Sequence, residues 1–88
     1  MSQPAITIYS ADWCPYCQRA KALLTAKKLT FTAIDVDGDP RLRDEMIARS
    51  AQHTVPQIFI GDKHIGGCDE LAALERRGEL DRLMEVVR

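Results

Sequence analysis

Apolar positions recur along this chain in two alternating rhythms. In Ala5–Ser10 they alternate singly, Ile6 and Ile8 on one face and Thr7 and Tyr9 on the other, which is the period of a β-strand. From Pro15 to Lys28 the spacing lengthens to three and four, through Ala20, Leu23, Leu24 and Ala26 or Lys27. That predicts a helix, closed by Lys27 and Lys28 at the negative end of its dipole. Phe31–Val36 reads as a second strand. The turn Asp37-Gly38-Asp39-Pro40 opens a second helix to Ser50, with Asp39 as N-cap and Pro40 at the first position. Leu42, Met46 and Ile47 point it inward, and Arg41, Glu45 and Arg49 give it a plain solvated face. Gln57–Ile60 is a third strand, joined by the hairpin signal Gly61-Asp62 to a short fourth, Lys63–Ile65. Gly66-Gly67 breaks the pattern. Cys68 or Asp69 caps a third helix that carries Leu71 and Leu74 and stops at Gly78. A last helix, Glu79–Arg88, sets Leu80, Leu83, Met84 and Val87 on one face, which reads as core.

The order β-α-β-α-β-β-α-α predicts a βαβ crossover between parallel strands, followed by a hairpin that adds antiparallel strands to the same sheet. With helices on both faces, this is a three-layer α/β/α sandwich around a four-stranded mixed sheet. At 88 residues the chain is one domain, 1–88. A chain this size buries only about 60–65% of its unfolded surface, and 45% hydrophobic residues suffice for a core. Twelve basic against thirteen acidic residues leave a net charge of −1, so no bulk field points to nucleic acid or an anionic membrane. No run reaches spanning length, and Met1–Pro4 lacks a basic-then-apolar signal pattern. Three cysteines are too few for a disulfide-stapled secreted fold. A reducing cytoplasm is the expected home.

The chemistry concentrates in Trp13-Cys14-Pro15-Tyr16-Cys17, where the first strand feeds the first helix. Pro15 suits the first helical position. Cys14 then falls at or beside the N-cap, where unpaired N–H groups and the positive helix end favour a thiolate, the reactive form. Cys17, one turn in, is less exposed and less acidic. The pattern predicts an exposed attacking thiol and a shielded resolving one. Half of a zinc site is the competing reading, but four ligands are wanted and only Cys68, His53 and His64 remain, with no second C-x-x-C. His53 and His64 read as surface residues, His53 being the one closer to substrate. Cys68 reads as a small residue at a helix start, and Asp69, from the residues alone, as an N-cap. A C-x-x-C opening the helix of a βαβ unit is a thioredoxin-like redox site.

Cys14-Pro15-Tyr16-Cys17, Thr54-Val55-Pro56-Gln57-Ile58-Phe59-Ile60 and Gly66-Gly67-Cys68-Asp69-Glu70-Leu71 together resemble a dithiol glutaredoxin of the short bacterial kind, over essentially the whole chain. The resemblance implies a thioredoxin-like fold and a glutathione-dependent thiol–disulfide oxidoreductase acting as a monomer. Cys14 would attack a disulfide or a glutathione mixed disulfide, and Cys17 would resolve protein intermediates. It implies a cis Pro56 and a Val55 backbone that pairs with the cysteinyl part of glutathione. Gly67, Cys68 and Asp69 would hold the γ-glutamyl end, with Tyr16 and Thr54 lining the groove. Glutathione is then the co-substrate, with no metal expected. Disulfide-containing or glutathionylated proteins are the partners, ribonucleotide reductase and sulfate or arsenate reductases among those the family suggests.

Two positions depart from that pattern. Many members carry a Lys where this chain has Ala11, in Ser10-Ala11-Asp12, and an Arg just before Thr-Val-Pro, where this chain has Gln52-His53. Glutathione is therefore expected to bind more weakly than in a Lys-bearing relative, with Ala11→Lys as the expected remedy. Trp13 is unusual beside the first cysteine and adds an apolar wall. Two other classes compete: a redoxin reduced by thioredoxin reductase, and a dimer holding a 2Fe–2S cluster between Cys14 of two subunits and two glutathiones, which Pro15 disfavours.

Overall fold

The computed structural model describes residues 4–85. Eight elements follow in the expected order: β1 (Ile6–Ser10), α1 (Pro15–Ala26), β2 (Thr32–Asp35), α2 (Pro40–Ser50), β3 (Gln57–Ile60), β4 (Lys63–Gly66), α3 (Cys68–Arg76) and α4 (Glu79–Glu85). The sheet order is β2-β1-β3-β4. β1 runs parallel to β2, with Thr7 beside Thr32, and antiparallel to β3, with Ile6 beside Ile60. β4 closes the antiparallel edge with a register shift that leaves Ile65 unpaired between Gly66 and His64.

The period-two alternation of β1 sorts its side chains onto two cores. Ile6 and Ile8 join Ile58 and Ile60 of β3 beneath Ala20, Leu24, Leu71 and Leu80 from α1, α3 and α4. Each such fully buried Ile or Leu contributes about 1.5–3 kcal/mol over an exposed one. On the opposite face Tyr9, Val36 and Phe59 pack on Met46, with Leu42 and Ile47 of α2 beside them. The three-layer α/β/α arrangement stands. Among the described residues, no helix is long and apolar enough to cross a membrane.

Four details differ from the sequence reading. α1 ends at Ala26, because Lys28 turns into the left-handed region (φ 61°) and the chain doubles back toward β2. Lys27 does not neutralise its own helix end but reaches across to Glu75 (3.1 Å) and Asp81 (2.9 Å). Neither Cys68 nor Asp69 caps α3: Gly67 is the N-cap, and Glu70 at the third helical position accepts its N–H at 2.7 Å. The outer face of α2 is not merely solvated. Glu45 accepts the Tyr9 hydroxyl, Arg49 donates to the same oxygen at 2.9 Å, and the Arg49 guanidinium lies 4.1 Å from the Phe59 ring centre. The expected contribution of Val87 to the last helix lies outside the described residues.

Candidate active site

Cys14 occupies the N-cap of α1 in an extended conformation (φ −89°, ψ 113°), and Pro15 takes the first helical position. Its own N–H donates to Ala11 O at 3.1 Å, which folds residues 11–14 into a turn against the helix start. The Cys17 N–H donates to Cys14 Sγ at 3.2 Å, so a helix-end donor of the kind an anionic sulfur takes up already faces the sulfur. On its other side the Cys14 thiol donates to Val55 O at 3.8 Å. All three cysteines are free thiols.

The two thiols are less different in exposure than the sequence suggests. Cys14 is only 3% exposed and Cys17 not at all, both packed with Ala11 and Val55. Trp13 (63% exposed) and Tyr16 (55%) instead form the visible rim. What separates the thiols is environment. Burial pushes Cys17 from an ordinary value of 9.0 up to about 12, with its hydrogen bond to Cys14 adding to the rise. Ala11 is itself fully buried beneath both sulfurs. A Lys at that position would have to run its stem out of this packing to bring its ammonium to the groove.

A groove of about 490 Å³ opens beside the pair, and every residue read from sequence as a glutathione contact lines it: Tyr16, Thr54, Val55, Pro56, Gly67, Cys68 and Asp69. The Val55–Pro56 peptide is cis. Gly66, at φ +119°, turns the chain from β4 into α3; a Cβ there would lie 2.9 Å from Glu70 Cγ. Burial raises the Cys68 thiol, the Asp69 carboxylate raises it further, and Arg19 opposes both. The Arg19 guanidinium also stands 5.6 Å from the Tyr16 ring centre, a nearby cation that the sequence reading passed over. Among the described residues, no group of three or more His, Cys, Asp or Glu is arranged to hold a metal ion.

Sequence reasoning missed part of the wall. Gln57, His64 and Glu70 also line the groove, as does Gln52, where the family's Arg was expected. His64 is exposed, as expected, and its Nε2 lies 2.7 Å from Gln57 Oε1. His53, expected to be the nearer histidine, is instead held through its carbonyl by Arg43 at 3.0 Å. No local motif marks His64, because its partner Gln57 comes from the facing strand of the hairpin.

Comparison with known proteins matches this arrangement to one family. The glutaredoxin family profile covers residues 6–65. A glutaredoxin of Pseudomonas aeruginosa is 53% identical over 81 residues, 92% of this chain and 96% of the relative. Glutaredoxin 3 of Escherichia coli is 54% identical over 80 residues, 91% of this chain and 96% of the relative. The solution structure of the Brucella melitensis glutaredoxin superposes with a TM-score of 0.86 at 50% identity, covering 100% of this chain and 96% of that one. A buckwheat glutaredoxin–glutathione complex superposes with a TM-score of 0.83 at 32% identity, over 93% of this chain and 76% of that one. Identity of this depth over nearly the full length, on a shared thioredoxin-like fold, places the chain in the glutaredoxin family of thiol–disulfide oxidoreductases.

Proposed function

We propose that this glutaredoxin reduces glutathione mixed disulfides and protein disulfides at the expense of glutathione, with Cys14 as nucleophile and Cys17 as resolving thiol. The observation that carries this reading is the contact between Cys14 Sγ and Val55 O at 3.8 Å, which joins the attacking sulfur to the wall of the groove. A glutathione lying in that groove presents its sulfur to Cys14 while its cysteinyl backbone pairs with Val55, as a single rung of added strand. Its γ-glutamyl end meets Asp69 through the ammonium and the N–H groups opening α3 at Gly67 and Cys68 through the carboxylate. Tyr16, Thr54 and Pro56 complete the walls. The glutathione-bound buckwheat relative supports the choice of ligand.

Cys14, as thiolate, attacks the glutathione sulfur of a protein–glutathione mixed disulfide. The protein–glutathione S–S bond breaks, a Cys14–glutathione bond forms, and the protein thiolate leaves and takes a proton from water. A second glutathione thiolate attacks the glutathione sulfur of the adduct, releasing oxidised glutathione and restoring the Cys14 thiolate. With a protein disulfide, Cys14 forms a mixed disulfide with one substrate sulfur and frees the other. Cys17 then loses its proton and attacks Cys14 Sγ, releasing the remaining substrate thiolate and closing a Cys14–Cys17 disulfide that two glutathiones reduce. We assign the protein to the cytoplasm as a monomer, where glutathione supplies the electrons.

Glutathione-coupled reduction of a small glutathione mixed disulfide tests the assignment. Cys14→Ser is expected to lose activity at least ~1000-fold, because the nucleophile is gone, whereas Cys17→Ser keeps most of it, because that route never uses Cys17. Inactivity of wild type with glutathione, together with turnover by thioredoxin reductase, would overturn the reading.

A further inference from the structure

Gln57, the first residue of β3, is a buried side chain with only 3% exposure. A buried amide needs partners for its donors and its acceptor, and here the partners define a chain. Its Nε2 donates to Thr54 O at 3.0 Å and to Thr54 Oγ1 at 3.2 Å. Thr54 O can only accept, so the amide nitrogen must face it and Oε1 must face His64. His64 Nε2, 2.7 Å from that oxygen, therefore carries a proton and donates. The imidazole is held in place by Phe59, ring centres 5.0 Å apart and tilted by 34°.

The segment this chain grips leans on side chains for its fastening. Ser50 Oγ, whose own proton goes to Met46 O at 2.7 Å, accepts from Gln52 N at 3.1 Å; Arg43 donates to His53 O at 3.0 Å; Gln57 holds Thr54. Residues 52 and 53 are thus tied from α2, and residue 54 from β3 through an amide that β4 orients. Thr54 directly precedes Val55, whose carbonyl meets the Cys14 thiol.

We propose that Gln57 and His64 are positioning residues for glutathione: the His64–Gln57–Thr54 relay sets the place of the Val55 backbone rung against which the tripeptide docks. This rests on the glutathione reading given above and adds to it two residues that do not touch the reacting sulfurs. Removing the relay should weaken docking of glutathione while leaving sulfur exchange itself largely intact.

Three variants separate this role from general support. Gln57→Glu keeps the volume and the acceptor for His64 but has no donor for Thr54. His64→Phe keeps a ring on Phe59 but cannot donate to Gln57, and His64→Gln restores an N–H donor. With a small glutathione mixed disulfide, KM is expected to rise about fivefold in Gln57→Glu and His64→Phe, the size of one lost hydrogen bond. Their kcat should stay within about twofold, as should the rate at which iodoacetamide alkylates Cys14, and His64→Gln should return KM to near wild type. Unchanged KM in Gln57→Glu and His64→Phe overturns the proposal. So does a parallel fall in kcat and alkylation rate with a lowered melting temperature, which marks a merely structural role. If wild type itself shows no saturable use of glutathione, the functional reading fails separately. Amide hydrogen exchange at Val55 then decides the relay: faster exchange in both variants than in wild type supports it, and unchanged exchange overturns it.

Discussion

Cys14 and Cys17 share one turn of helix yet meet opposite demands, and the division between them lies in single contacts. Cys14 Sγ accepts a helix-end N–H, while Cys17 is buried and pushed up to about 12. Its hydrogen bond to Cys14 and the Cys14 charge add to that rise, after burial itself. Under the proposed mechanism both additions would be lost once Cys14 entered a mixed disulfide, which would ease deprotonation of Cys17. The missing Lys also takes on a different meaning at this scale. Ala11 is packed under the sulfurs, whereas Gln52 is exposed and lines the groove, at the place where many relatives carry Arg. One exposed ion pair is worth about 0.2–1 kcal/mol, so Gln52→Arg should tighten glutathione binding by a factor of about 1.4 to 5 at low salt, and less at high salt. Titration calorimetry at two ionic strengths checks this; equal affinity of variant and wild type would show that no carboxylate of glutathione comes near residue 52. The seven groove-lining positions were legible because three contiguous motifs carry them. Gln57 and His64 escaped because a hairpin register, not a local pattern, brings them together, and Glu45 with Arg49 because nothing in helix spacing reveals a tyrosine hydroxyl emerging beside them.

Elements were legible where caps and breakers are explicit. Asp39 accepts N–H bonds from Arg41 (3.1 Å) and Leu42 (3.2 Å), and α2 begins where its Asp-Pro signal stands. The end of α1 was not, because the left-handed turn at Lys28 is taken by a residue that does not advertise it. The start of α3 was misassigned by one or two positions, since glycine caps without a side chain and the visible partner, Glu70, lies three residues on. That junction also yields a prediction. At Gly66 the backbone is in a region L side chains rarely adopt (φ +119°), and an added Cβ would crowd Glu70 Cγ at 2.9 Å and Cβ at 3.1 Å. Gly66→Ala must strain the backbone and displace the side chain that satisfies the Gly67 N–H. It should cost about 1–3 kcal/mol of unfolding free energy in urea titration and disturb the Cys68–Asp69 end of the groove. Glu70→Gln, which keeps an acceptor for Gly67, should cost well under half as much. A Gly66→Ala protein as stable as wild type would refute the account of this turn.

Across the described residues the titration shifts share one direction. Cys17, Tyr9 and Cys68 are raised chiefly by burial, and Lys27 chiefly by its hydrogen bond to Asp81. A group whose value is higher in the folded state holds its proton there after the unfolded chain has lost it. Its contribution is complete below the unfolded value and is lost as pH rises through the folded one. For Cys17 that window runs from 9.0 to about 12, and Tyr9, Cys68 and Lys27 add in the same sense. Lys27 adds little, because solvent screens its ion pairs. The reduced protein should therefore show no loss from these four groups below pH 9, then lose unfolding free energy steeply on the alkaline side. A single full proton difference gives a limiting slope of about 1.4 kcal/mol per pH unit. Urea unfolding of the reduced protein from pH 7 to 11, compared with Cys17→Ala, isolates the largest contributor: the variant starts less stable because a buried side chain is smaller, but its alkaline slope is shallower. Parallel slopes would mean that Cys17 titrates alike in the folded and unfolded chains, and the account of burial holding its proton would have to be abandoned.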